Sequence, residues 1–367
     1  MKVLLTSHRF WPSVGGTEEV VAQLARRLAA RGHDVTVATS DEPGRPLEEA
    51  RDGYRIRRFA LRRVGKLRFP PRGYLDFARK GGHDLVHVHG QRVWSTDYLY
   101  PLFGSFRAPI VFTAHGFYQW HVERTPLVDD AYYKVVLPRA LRHAAAVTAL
   151  TRAEHDELAA WGVPDEKLHV VPDGLDVHAF RDLPPGFRAK HGYAADAPLL
   201  LYAGGLYRNK RVDRLVDAAA KADADLAVLG RDAHGERARL EALARERGAR
   251  VRFHGQLPRE DVLSAFREAD VFALASDFEG FGLVLLEAMA SGLPFVATRA
   301  GAAPELSRLG GGLSVEVGRF PDAVRDLLAD GARRAEMGRK GRDAAARYDW
   351  ERVVDTYVSL YEEVARA

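Results

Sequence analysis

Two glutamates in the second half of the chain, Glu279 and Glu287, are separated by seven residues. Glu279 precedes a helical pattern that begins near Gly282, and Glu287 lies about a turn and a half inside it. Gly280 and Gly282 let the backbone approach a ligand closely, and the free N–H groups at a helix start favour an anion. Carboxylates beside an anion site are useful when they accept hydrogen bonds from neutral hydroxyls. A sugar nucleotide offers both features, because its diphosphate lies between a hydroxyl-rich sugar and a ribose.

The elements that must position these residues are short apolar strands, which alternate with helical patterns along the whole chain. Strands are predicted at residues 3–6, 35–38, 85–89, 110–114, 145–150, 168–171, 199–203, 226–229, 251–254, 271–274 and 295–297. This alternation is typical of α/β proteins whose parallel sheets are covered on both faces. Ligands of such sheets bind outside the carboxyl ends of the strands, so a site is expected in the loops that follow them.

The length of 367 residues exceeds one ordinary core, so two domains are expected, with the site in the cleft between them. Residues 175–198 contain several prolines and glycines and little periodicity, which indicates a linker. In the first half, Thr17 is predicted to cap a helix that has Glu18 and Glu19 in its first turn. Thr151 and Glu154 have the spacing of a capping box at the start of another helix.

The composition excludes several kinds of site. The chain has no cysteine, which excludes disulfides, thiol nucleophiles and cysteine-ligated metals and fits a reducing cytoplasm. The apolar stretches are strand-sized, so no transmembrane helix is expected, and the first residues read as a strand rather than a signal peptide. Asp223 and Asp225 form a D-x-D pattern, but in a predicted turn, and the 14 histidines show no zinc spacing. No metal is therefore expected.

Positive charge is concentrated between Arg51 and Lys80, where eleven Lys and Arg residues oppose two acids. The whole chain carries a net charge of +4, so the remaining residues are net acidic. Such a cluster indicates either an anionic partner or a solvated arginine-rich face, and the sequence leaves both readings open.

The residues from Glu279 to Glu287, with the following A-M-A-S-G-L-P-F-V-A-T, closely resemble the signature of retaining glycosyltransferases of family 4, which have the GT-B architecture. Six further landmarks resemble the family in its order, at residues 12–18, 114–116, 171–176, 204–210, 301–305 and 348–351. The resemblance implies an α/β fold of two doubly wound Rossmann-like domains with parallel sheets. Residues 1–175 would bind the acceptor, 176–198 would be the linker, 199–348 would bind a nucleotide-sugar donor, and helix 349–367 would cross back to the first domain.

The resemblance also implies roles for single residues. The catalytic set is His115, Glu279 and Lys210, and the donor-binding set is Gly15, Gly16, Gly204, Gly205, Arg208, Lys210, Glu279, Phe281, Gly282, Leu283 and Glu287. Glu287 would bind the ribose hydroxyls, Glu279 the transferred sugar, and Lys210 the diphosphate leaving group. His115 would reach the donor sugar from the other domain. The resemblance implies no cofactor and no metal.

This chain departs from the family pattern at Gly205, where the family often has arginine, and at Asp173, where it typically has asparagine. Arg208 or Arg211 could replace the missing guanidinium. Each site residue also has a purely structural reading. His115 could be a core histidine, Lys210 a solvated lysine in a basic run, and Glu287 an exposed helix residue. Gly15 and Gly16 could form only a helix entry turn.

The implied reaction retains the configuration of the anomeric carbon by same-face attack, with the leaving diphosphate helping to take the acceptor proton. Glu279 and Glu287 serve different hydroxyls and are not a nucleophile–acid pair. The acceptor would be a hydroxyl of a glycan or glycolipid. Its domain would dock on an anionic membrane at the inner face through Arg55, Arg57, Arg58, Arg62, Arg63, Lys66 and Arg68.

Three other readings remain. The chain could be a GT-B relative with other chemistry, such as an epimerase or a phosphorylase, or it could be a binding protein on a former transferase fold. Nucleic acid is not an expected partner of the basic segment, because no recognition-helix or RNA-binding signature is present. The sequence does not identify the nucleobase, the sugar, the acceptor or the oligomeric state.

Overall fold

The computed structural model describes residues 1–13, 15–64, 67–117 and 125–366, with only the backbone at residues 63, 64, 67 and 68. The strands are β1 (Lys2–Thr6), β2 (Asp34–Ser40), β3 (Glu48–Arg51), β4 (Tyr54–Phe59), β5 (Arg62–Val64), β6 (Leu67–Phe69), β7 (Leu85–His89), β8 (Ile110–Thr113), β9 (Ala146–Ala149), β10 (Leu168–Val170), β11 (Leu199–Ala203), β12 (Asp225–Leu229), β13 (Arg250–Gly255), β14 (Val271–Leu274), β15 (Phe295–Thr298) and β16 (Gly312–Val315).

The α-helices of the described residues pack beside these strands. They are α1 (Gly16–Ala30), α2 (Arg72–Lys80), α3 (Trp94–Asp97), α4 (Pro126–Ala131), α5 (Leu137–Leu141), α6 (Arg152–Ala160), α7 (Phe187–His191), α8 (Val212–Ala222), α9 (Glu236–Arg247), α10 (Arg259–Glu268), α11 (Leu283–Ser291), α12 (Ala303–Arg308), α13 (Phe320–Ala329), α14 (Gly331–Ala345) and α15 (Trp350–Arg366). A π-helical segment, Tyr132–Val136, joins α4 to α5.

The chain divides into two compact units, residues 1–173 with 350–367 and residues 174–349. The first unit holds an eight-stranded sheet in the order β10-β9-β8-β7-β1-β2-β4-β3. All its pairings are parallel except that of β3 with β4. The central strands are buried on both faces, as in Leu4, Leu5 and Phe112, because helices cover the sheet on each side. Helix α15 belongs to this unit, where Arg31, the residue after α1, binds Asp355 at 2.9 Å.

The second unit holds a six-stranded sheet in the order β13-β12-β11-β14-β15-β16, and every pairing in it is parallel. The strand order reverses between β11 and β14, which is the switch point at which such sheets bind ligands. The apolar runs that predicted strands in both halves of the chain do form strands. Two doubly wound parallel sheets are therefore confirmed.

The arginine-rich segment folds differently from the sequence prediction, which treated it only as surface. Residues Tyr54–Phe59 form β4, in which Tyr54, Ile56 and Arg58 point to the buried face. Apolar residues alternate with arginine in this segment, which is a strand pattern. The high arginine content led to the prediction of a surface segment instead. The short β16 was missed because its sequence, Gly-Leu-Ser-Val, has only two strand-favouring residues.

Residues 176–198, predicted to be a linker, fold instead as part of the second unit. Glu268 on α10 accepts hydrogen bonds from the backbone N–H groups of Gly186 and Arg188, each at 2.7 Å. The Arg188 guanidinium also pairs with Asp270 at 2.8 Å. Prolines and glycines set the turns of this segment. The segment is held to the unit by Arg188 and by two buried side chains, Phe180 and Phe187.

Helix starts in the first unit agree only in part with the sequence. Helix α1 begins at Gly16, with Gly15 at the N-cap and no side-chain cap, so the prediction that Thr17 caps it is wrong. At α6 the Thr151 hydroxyl accepts from Glu154 N at 3.1 Å, which confirms the cap. Glu154 does not complete the capping box, because its carboxylate binds Leu150 N and Gly116 N instead.

Gly230, which follows β12, sits where two loops of the second sheet meet. Its φ is +138°, and a Cβ built there would lie 1.9 Å from the carbonyl oxygen of Gly204. Only glycine permits this approach. Gly235 also has a positive φ, +73°, but a Cβ there would meet nothing within 4 Å. Substitution of either glycine would strain the backbone, but only substitution of Gly230 would also create a steric clash. Comparing the two substitutions therefore separates the two effects.

We expect Gly230→Ala to lower the free energy of unfolding by at least about 2 kcal/mol more than Gly235→Ala. Both variants strain the backbone, but only the first forces the Gly204 loop to move. Urea unfolding of the two variants beside the wild type measures the difference. Equal losses would show that the β11 and β12 loops are not in close contact.

Candidate active site

The carboxyl edge of the second sheet brings together the loops that follow β11 and β14. Residues 204–211 follow β11 and residues 275–282 follow β14, and the two strands are neighbours in the sheet. Asp277 N donates to the carbonyl of Asn209 at 2.8 Å, which joins the loops through their backbones. Arg214, at the start of α8, binds Asp277 at 2.7 Å and the Ala275 carbonyl at 2.8 Å. The site loops are thus fixed to each other.

Lys210 and Glu279 form an ion pair across these loops. Lys210 Nζ lies 2.8 Å from Glu279 Oε1 and 2.7 Å from Oε2, and Ser276 Oγ donates to Oε1 at 2.6 Å. The Glu279 side chain is 9% exposed and that of Lys210 is 24% exposed. Because the carboxylate is nearly buried, it needs these charge-assisted partners. The more accessible ammonium keeps part of its surface free for an anion.

The backbone after Glu279 is shaped by glycines and braced by the next loop. Gly282 has a φ of +95° and is the N-cap of α11, so the first N–H groups of that helix lie at the same edge as Lys210. Ala302 N donates to the Phe281 carbonyl at 2.8 Å. A Cβ on Gly301 would lie 2.5 Å from that carbonyl oxygen, so only glycine lets the brace close.

Glu287 occupies the first two turns of α11. Its carboxylate is 24% exposed and meets Arg259 NH1 at 3.5 Å. Burial raises the pKa of the Glu287 carboxyl, and Arg259 opposes part of that rise. A carboxylate with one distant cation retains acceptor capacity for hydroxyl groups.

The loop after β11 shows how this chain does without an arginine at Gly205. A Cβ on Gly205 would lie 2.3 Å from the ring of Tyr207, which fills that space. The Gly205 carbonyl accepts from the Tyr202 hydroxyl at 2.8 Å. Gly204 approaches the β12 end, where its N–H donates to the Leu229 carbonyl at 2.9 Å.

The two arginines that could replace the missing guanidinium are both held in ion pairs. Arg211 pairs with Asp213 at 2.8 Å and with Asp277 at 3.2 Å. Arg208 pairs with Glu236 at 2.9 Å, although its side chain is 87% exposed. Exposed ion pairs are weak, so Arg208 is the easier of the two to redirect.

The first unit carries the other predicted residues, Gly15, Gly16 and His115. Gly15 extends the chain into α1, and a Cβ there would lie 2.4 Å from a carboxylate oxygen of Glu18. Burial raises the pKa of this Glu18 carboxyl, while Arg9 opposes the rise. Gly16 is the first helical residue, and a Cβ there would meet nothing within 4 Å. The contact at Gly15 is with the end of a flexible side chain that can move away, so neither glycine is sterically required.

His115 follows β8 in a left-handed conformation, with a φ of +60°. Its Nε2 lies 2.9 Å from Nδ1 of His89 at the end of the neighbouring strand β7. Burial lowers the pKa of His115 to about 4, with a smaller effect of His8, so its ring is neutral at pH 7. Two neutral imidazoles can share this bond only if one donates and the other accepts.

A buried polar chain continues from His89 to the C-terminal helix. The rings of His89 and His87 stack with centroids 3.9 Å apart, and His87 Nδ1 lies 2.5 Å from the Tyr361 hydroxyl on α15. His87 Nε2 meets Thr113 Oγ1 at 2.7 Å. Among the described residues, Nε2 of His89 is buried without a hydrogen-bond partner. An unsatisfied acceptor is tolerated better than an unsatisfied donor, which favours His89 as the donor to His115.

Glu154 fixes the loop that carries His115. Its carboxylate accepts from Gly116 N at 2.8 Å and from Leu150 N at 2.6 Å, while Gln91 Nε2 donates to the Gly116 carbonyl at 2.9 Å. Burial raises the pKa of Glu154 to about 7, despite these backbone bonds. His115 therefore has a strained, left-handed backbone in a turn that these hydrogen bonds hold in place.

Comparison with known proteins assigns the chain to a family. Two family models match it, Glycosyltransferase Family 4 over residues 14–179 and Glycosyl transferases group 1 over residues 185–344. The GDP-mannose:cellobiosyl-diphosphopolyprenol alpha-mannosyltransferase of Xanthomonas oryzae pv. oryzae is 30% identical over 387 residues, covering 99% of this chain and 97% of that protein. The chain belongs to glycosyltransferase family 4.

Other relatives agree with this assignment. One is the N-acetyl-alpha-D-glucosaminyl L-malate synthase of Bacillus anthracis, which is 27% identical over 376 residues. The match covers 97% of the chain described here and 96% of the synthase. Sucrose-phosphate synthase from Thermosynechococcus elongatus has the same fold with a TM-score of 0.83 and 26% identity, covering 99% and 98% of the two chains. Anabaena HepE in complex with UDP and glucose gives a TM-score of 0.78 at 21% identity, covering 99% and 100%. The GT-B fold and the glycosyltransferase activity are thus confirmed.

The structure gathers part of the predicted site of the glycosyltransferase. In the second unit it brings together Lys210, Glu279, Gly282 and Leu283, with Phe281 buried beneath them. In the first unit, His115 is hydrogen-bonded to His89, a residue that the sequence did not single out. The signal was available, because His87 and His89 alternate on β7 and so share one face. Ser276 was also missed, because a serine in a loop has no distinctive pattern.

Three of the predicted membrane-docking arginines of the transferase have carboxylate partners within the first unit. Arg58 is buried, with its guanidinium 2.9 Å from Glu49, so the prediction that it contacts a membrane is wrong. Arg55 pairs with Asp34 at 2.6 Å, and Arg57 lies over the Phe77 ring at 4.3 Å and 3.6 Å from Glu48. Arg62 is exposed. Lys66 and the side chains of Arg63 and Arg68 lie outside the described residues.

Two further findings bear on membranes and metals. No helix within the described residues is long and apolar enough to cross a bilayer. Within that same part of the chain, no group of three or more histidine, aspartate or glutamate side chains is arranged to hold a metal ion. Asp223 and Asp225 flank the turn between α8 and β12, as the sequence predicts, and both pair with Arg250.

Asp173, which replaces the family asparagine, is buried in the first unit with an exposed fraction of 6%. Burial and the nearby carboxylate of Glu154 raise the pKa of Asp173 to about 7. The folded state therefore keeps a proton that the unfolded chain releases above about pH 4. The contribution of this group to stability falls as the pH rises from about 4 to about 7.

We expect Asp173→Asn to stabilise the protein at pH 8 relative to the wild type, by on the order of 2 kcal/mol more than at pH 5. The amide keeps the shape of the carboxyl group and cannot ionise beside Glu154. Thermal unfolding midpoints of both proteins across this pH range measure the effect. A stability difference that does not change with pH would contradict the raised pKa.

Proposed function

We propose that this transferase moves a sugar from a nucleotide-diphosphate sugar to a hydroxyl of a glycan or lipid-linked acceptor, with retention of anomeric configuration and without a metal. The observation that carries the proposal is the Lys210–Glu279 pair, which places one accessible cation beside a nearly buried carboxylate at the start of α11. A diphosphate needs the cation and the helix N–H groups, and a sugar needs a hydrogen-bond acceptor.

The division of work between the two glutamates supports this donor class. Glu279 shares its edge with Lys210, next to where the leaving diphosphate would lie, so it suits hydroxyls of the transferred sugar. Glu287 lies further along α11 and suits the ribose hydroxyls. The two acids have different partners, Lys210 and Arg259, and so act as separate acceptors rather than as a nucleophile with an acid.

We propose retention without an enzymic nucleophile, and the separate partners of the two glutamates support it. The acceptor would attack the face that the diphosphate leaves, and a diphosphate oxygen would take its proton. Lys210 and the α11 N–H groups would stabilise the charge that develops on the leaving group. With His89 donating to Nε2, the proton of neutral His115 is on Nδ1, which would donate to a hydroxyl of the transferred sugar. The epimerase, phosphorylase and binding-protein readings gain no support from any residue of the site.

The relatives support the substrate classes. The Xanthomonas oryzae relative is described as using GDP-mannose and a diphosphopolyprenol-linked sugar, and HepE has been solved with UDP and glucose. We propose a nucleotide-sugar donor and a glycan or lipid-linked acceptor for this chain on that basis. Contact with an anionic membrane, and a place at the inner face of the cytoplasmic membrane, stay predictions of the sequence, with Arg55, Arg57 and Arg62 as the described exposed cations.

The test is hydrolysis of UDP-, GDP-, ADP- and dTDP-sugars in the presence of EDTA, because it needs no acceptor. We expect one donor class to be cleaved and the released sugar to keep the donor's anomeric configuration by NMR. Glu279→Gln should lower turnover by about 100-fold or more, and Glu287→Ala should mainly raise KM.

The control is Glu363→Gln, which removes an exposed carboxylate on α15 and should leave turnover unchanged. Cleavage that requires added metal would contradict the metal-free mechanism. Release of the inverted sugar would contradict retention, and full activity of Glu279→Gln would remove that glutamate from the site.

A further inference from the structure

A second cavity of the donor unit lies at the opposite end of its sheet, away from Lys210 and Glu279. It measures about 550 Å³ and borders the residues that precede β14 and β15, Asp270 and Pro294. The donor loops follow β11 and β14, so the cavity is at the amino edge and the donor site at the carboxyl edge. The length of a four-residue strand, about 13 Å, separates the two edges.

Four arginines line this cavity, and three of them are held by backbone carbonyls. They are Arg181, Arg267, Arg334 and Arg342. Arg342 NH2 donates to the Ser291 carbonyl at 2.8 Å, Arg267 donates to the Leu183 carbonyl, and Arg334 donates to Leu327 at 3.2 Å and to Leu328. A guanidinium has five N–H donors, so each arginine fixed in this way has donors left for a ligand.

The guanidinium of Arg342 is positioned by glycine. It packs on Gly292, where a Cβ would lie 2.4 Å from NH2, and Gly292 has a φ of +75°. Gly338 on α14 lets that helix approach, because a Cβ there would lie 2.2 Å from the Gly292 carbonyl. The arginine is thus placed by the backbone of α11 and α14 rather than free on the surface.

The carboxylates that line the cavity do not neutralise these cations. Asp182 and Asp270 face four arginines. Asp270 is largely occupied by groups outside the lining, because Oδ2 accepts from Leu199 N at 2.9 Å and pairs with Arg188 at 2.8 Å. Its distance to Arg334 is 3.5 Å. The cavity is therefore net cationic and lined mainly by hydrogen-bond donors.

Residues at the start of α14 also line the cavity. They are Gly331 and Ala335, in the first turns of this 15-residue helix, together with Arg334. The helix N-terminus itself is capped by Asp330, whose carboxylate accepts from Arg333 N at 2.9 Å. The arginines therefore supply the positive charge of the cavity, and guanidinium groups recognise phosphate oxygens through paired hydrogen bonds.

We propose that this cavity is a second ligand site, which binds a phosphorylated small molecule of sugar-phosphate size. Its volume exceeds that of phosphate alone and lies in the range of small-molecule sites. Phosphate oxygens would bind the fork of Arg342 with Arg267, and the remaining space would take the rest of the molecule. The site is independent of the donor loops and does not rest on the function proposed above.

Helix α11 connects the cavity to the donor loops of the same unit. The Ser291 carbonyl, which Arg342 binds, ends the helix that begins at Gly282. Ser291 Oγ donates to the Glu287 carbonyl at 2.7 Å. One helix of nine residues, about 13 Å long, therefore carries a donor-site residue near its start and the arginine-held carbonyl at its end.

The experiment is isothermal calorimetry with inorganic phosphate, glucose 6-phosphate and glucose as probes. We expect saturable binding of glucose 6-phosphate, weaker binding of phosphate, and none of glucose. Arg267→Gln and Arg342→Gln should each weaken glucose 6-phosphate binding by about tenfold or more, because each removes charge-assisted hydrogen bonds. Lys210→Gln, which alters the donor loop, should leave this affinity unchanged.

Arg245→Gln is the matched control, because it removes an exposed arginine of α9 in the same unit. Arg342→Lys keeps the charge and loses the fork, and it replaces Arg342→Gln if that variant does not fold. Binding lost in Lys210→Gln and kept in the cavity variants would overturn the proposal, since the donor loop would then be the site. No saturable binding of either phosphate probe, or equal losses in Arg245→Gln and the cavity variants, would overturn it as well.

Discussion

The ion pair of Lys210 with Glu279 is the interaction on which the donor half of this transferase depends. It joins the loops of two neighbouring strands, β11 and β14, at the switch point of the sheet. Removing one partner would leave a nearly buried charge without compensation, which costs several kcal/mol. The same pair has a chemical role in the function proposed above, because a diphosphate beside Glu279 would be tolerated only if a cation lay between the two anions. Ser276, Gly282 and the Gly301 brace hold the loop in the form in which the pair can exist.

The first unit is organised around a different constraint, a run of neutral histidines. His115 has a left-handed backbone and a ring that burial keeps unprotonated at pH 7. Its bond to His89 and the stack on His87 extend to Tyr361 of the C-terminal helix. Glu154 fixes the same turn through Gly116. A neutral imidazole held in one orientation can exchange hydrogen bonds with a sugar without adding charge beside a cationic intermediate.

Sequence periodicity predicted the two sheets because their strands are buried on both faces, and such strands are continuous apolar runs. The same reasoning failed at Tyr54–Phe59, where three of six residues are arginines and one of them, Arg58, is buried. The loop from Glu279 to Glu287 could be singled out from the sequence because the two acids and the glycines are close together in it; its binding of a donor stays a prediction. His89 acts through His115, which follows a different strand, and spacing along the chain does not identify that partner. Ser276 binds Glu279 in the same loop, but a loop serine has no distinctive pattern. Arg208 and Arg211 could not be judged from sequence, because their roles depend on Glu236, Asp213 and Asp277.

The central claim is that Lys210 faces a diphosphate, and calorimetry with a nucleoside diphosphate and its nucleoside, both in EDTA, tests it most directly. UDP, GDP and ADP are compared first, and the tightest is taken with its nucleoside. The wild type should bind the diphosphate about 100-fold more tightly than the nucleoside, and Lys210→Gln should lose about tenfold or more of the diphosphate affinity while nucleoside affinity stays the same. Equal diphosphate affinity in the wild type and Lys210→Gln would contradict the account.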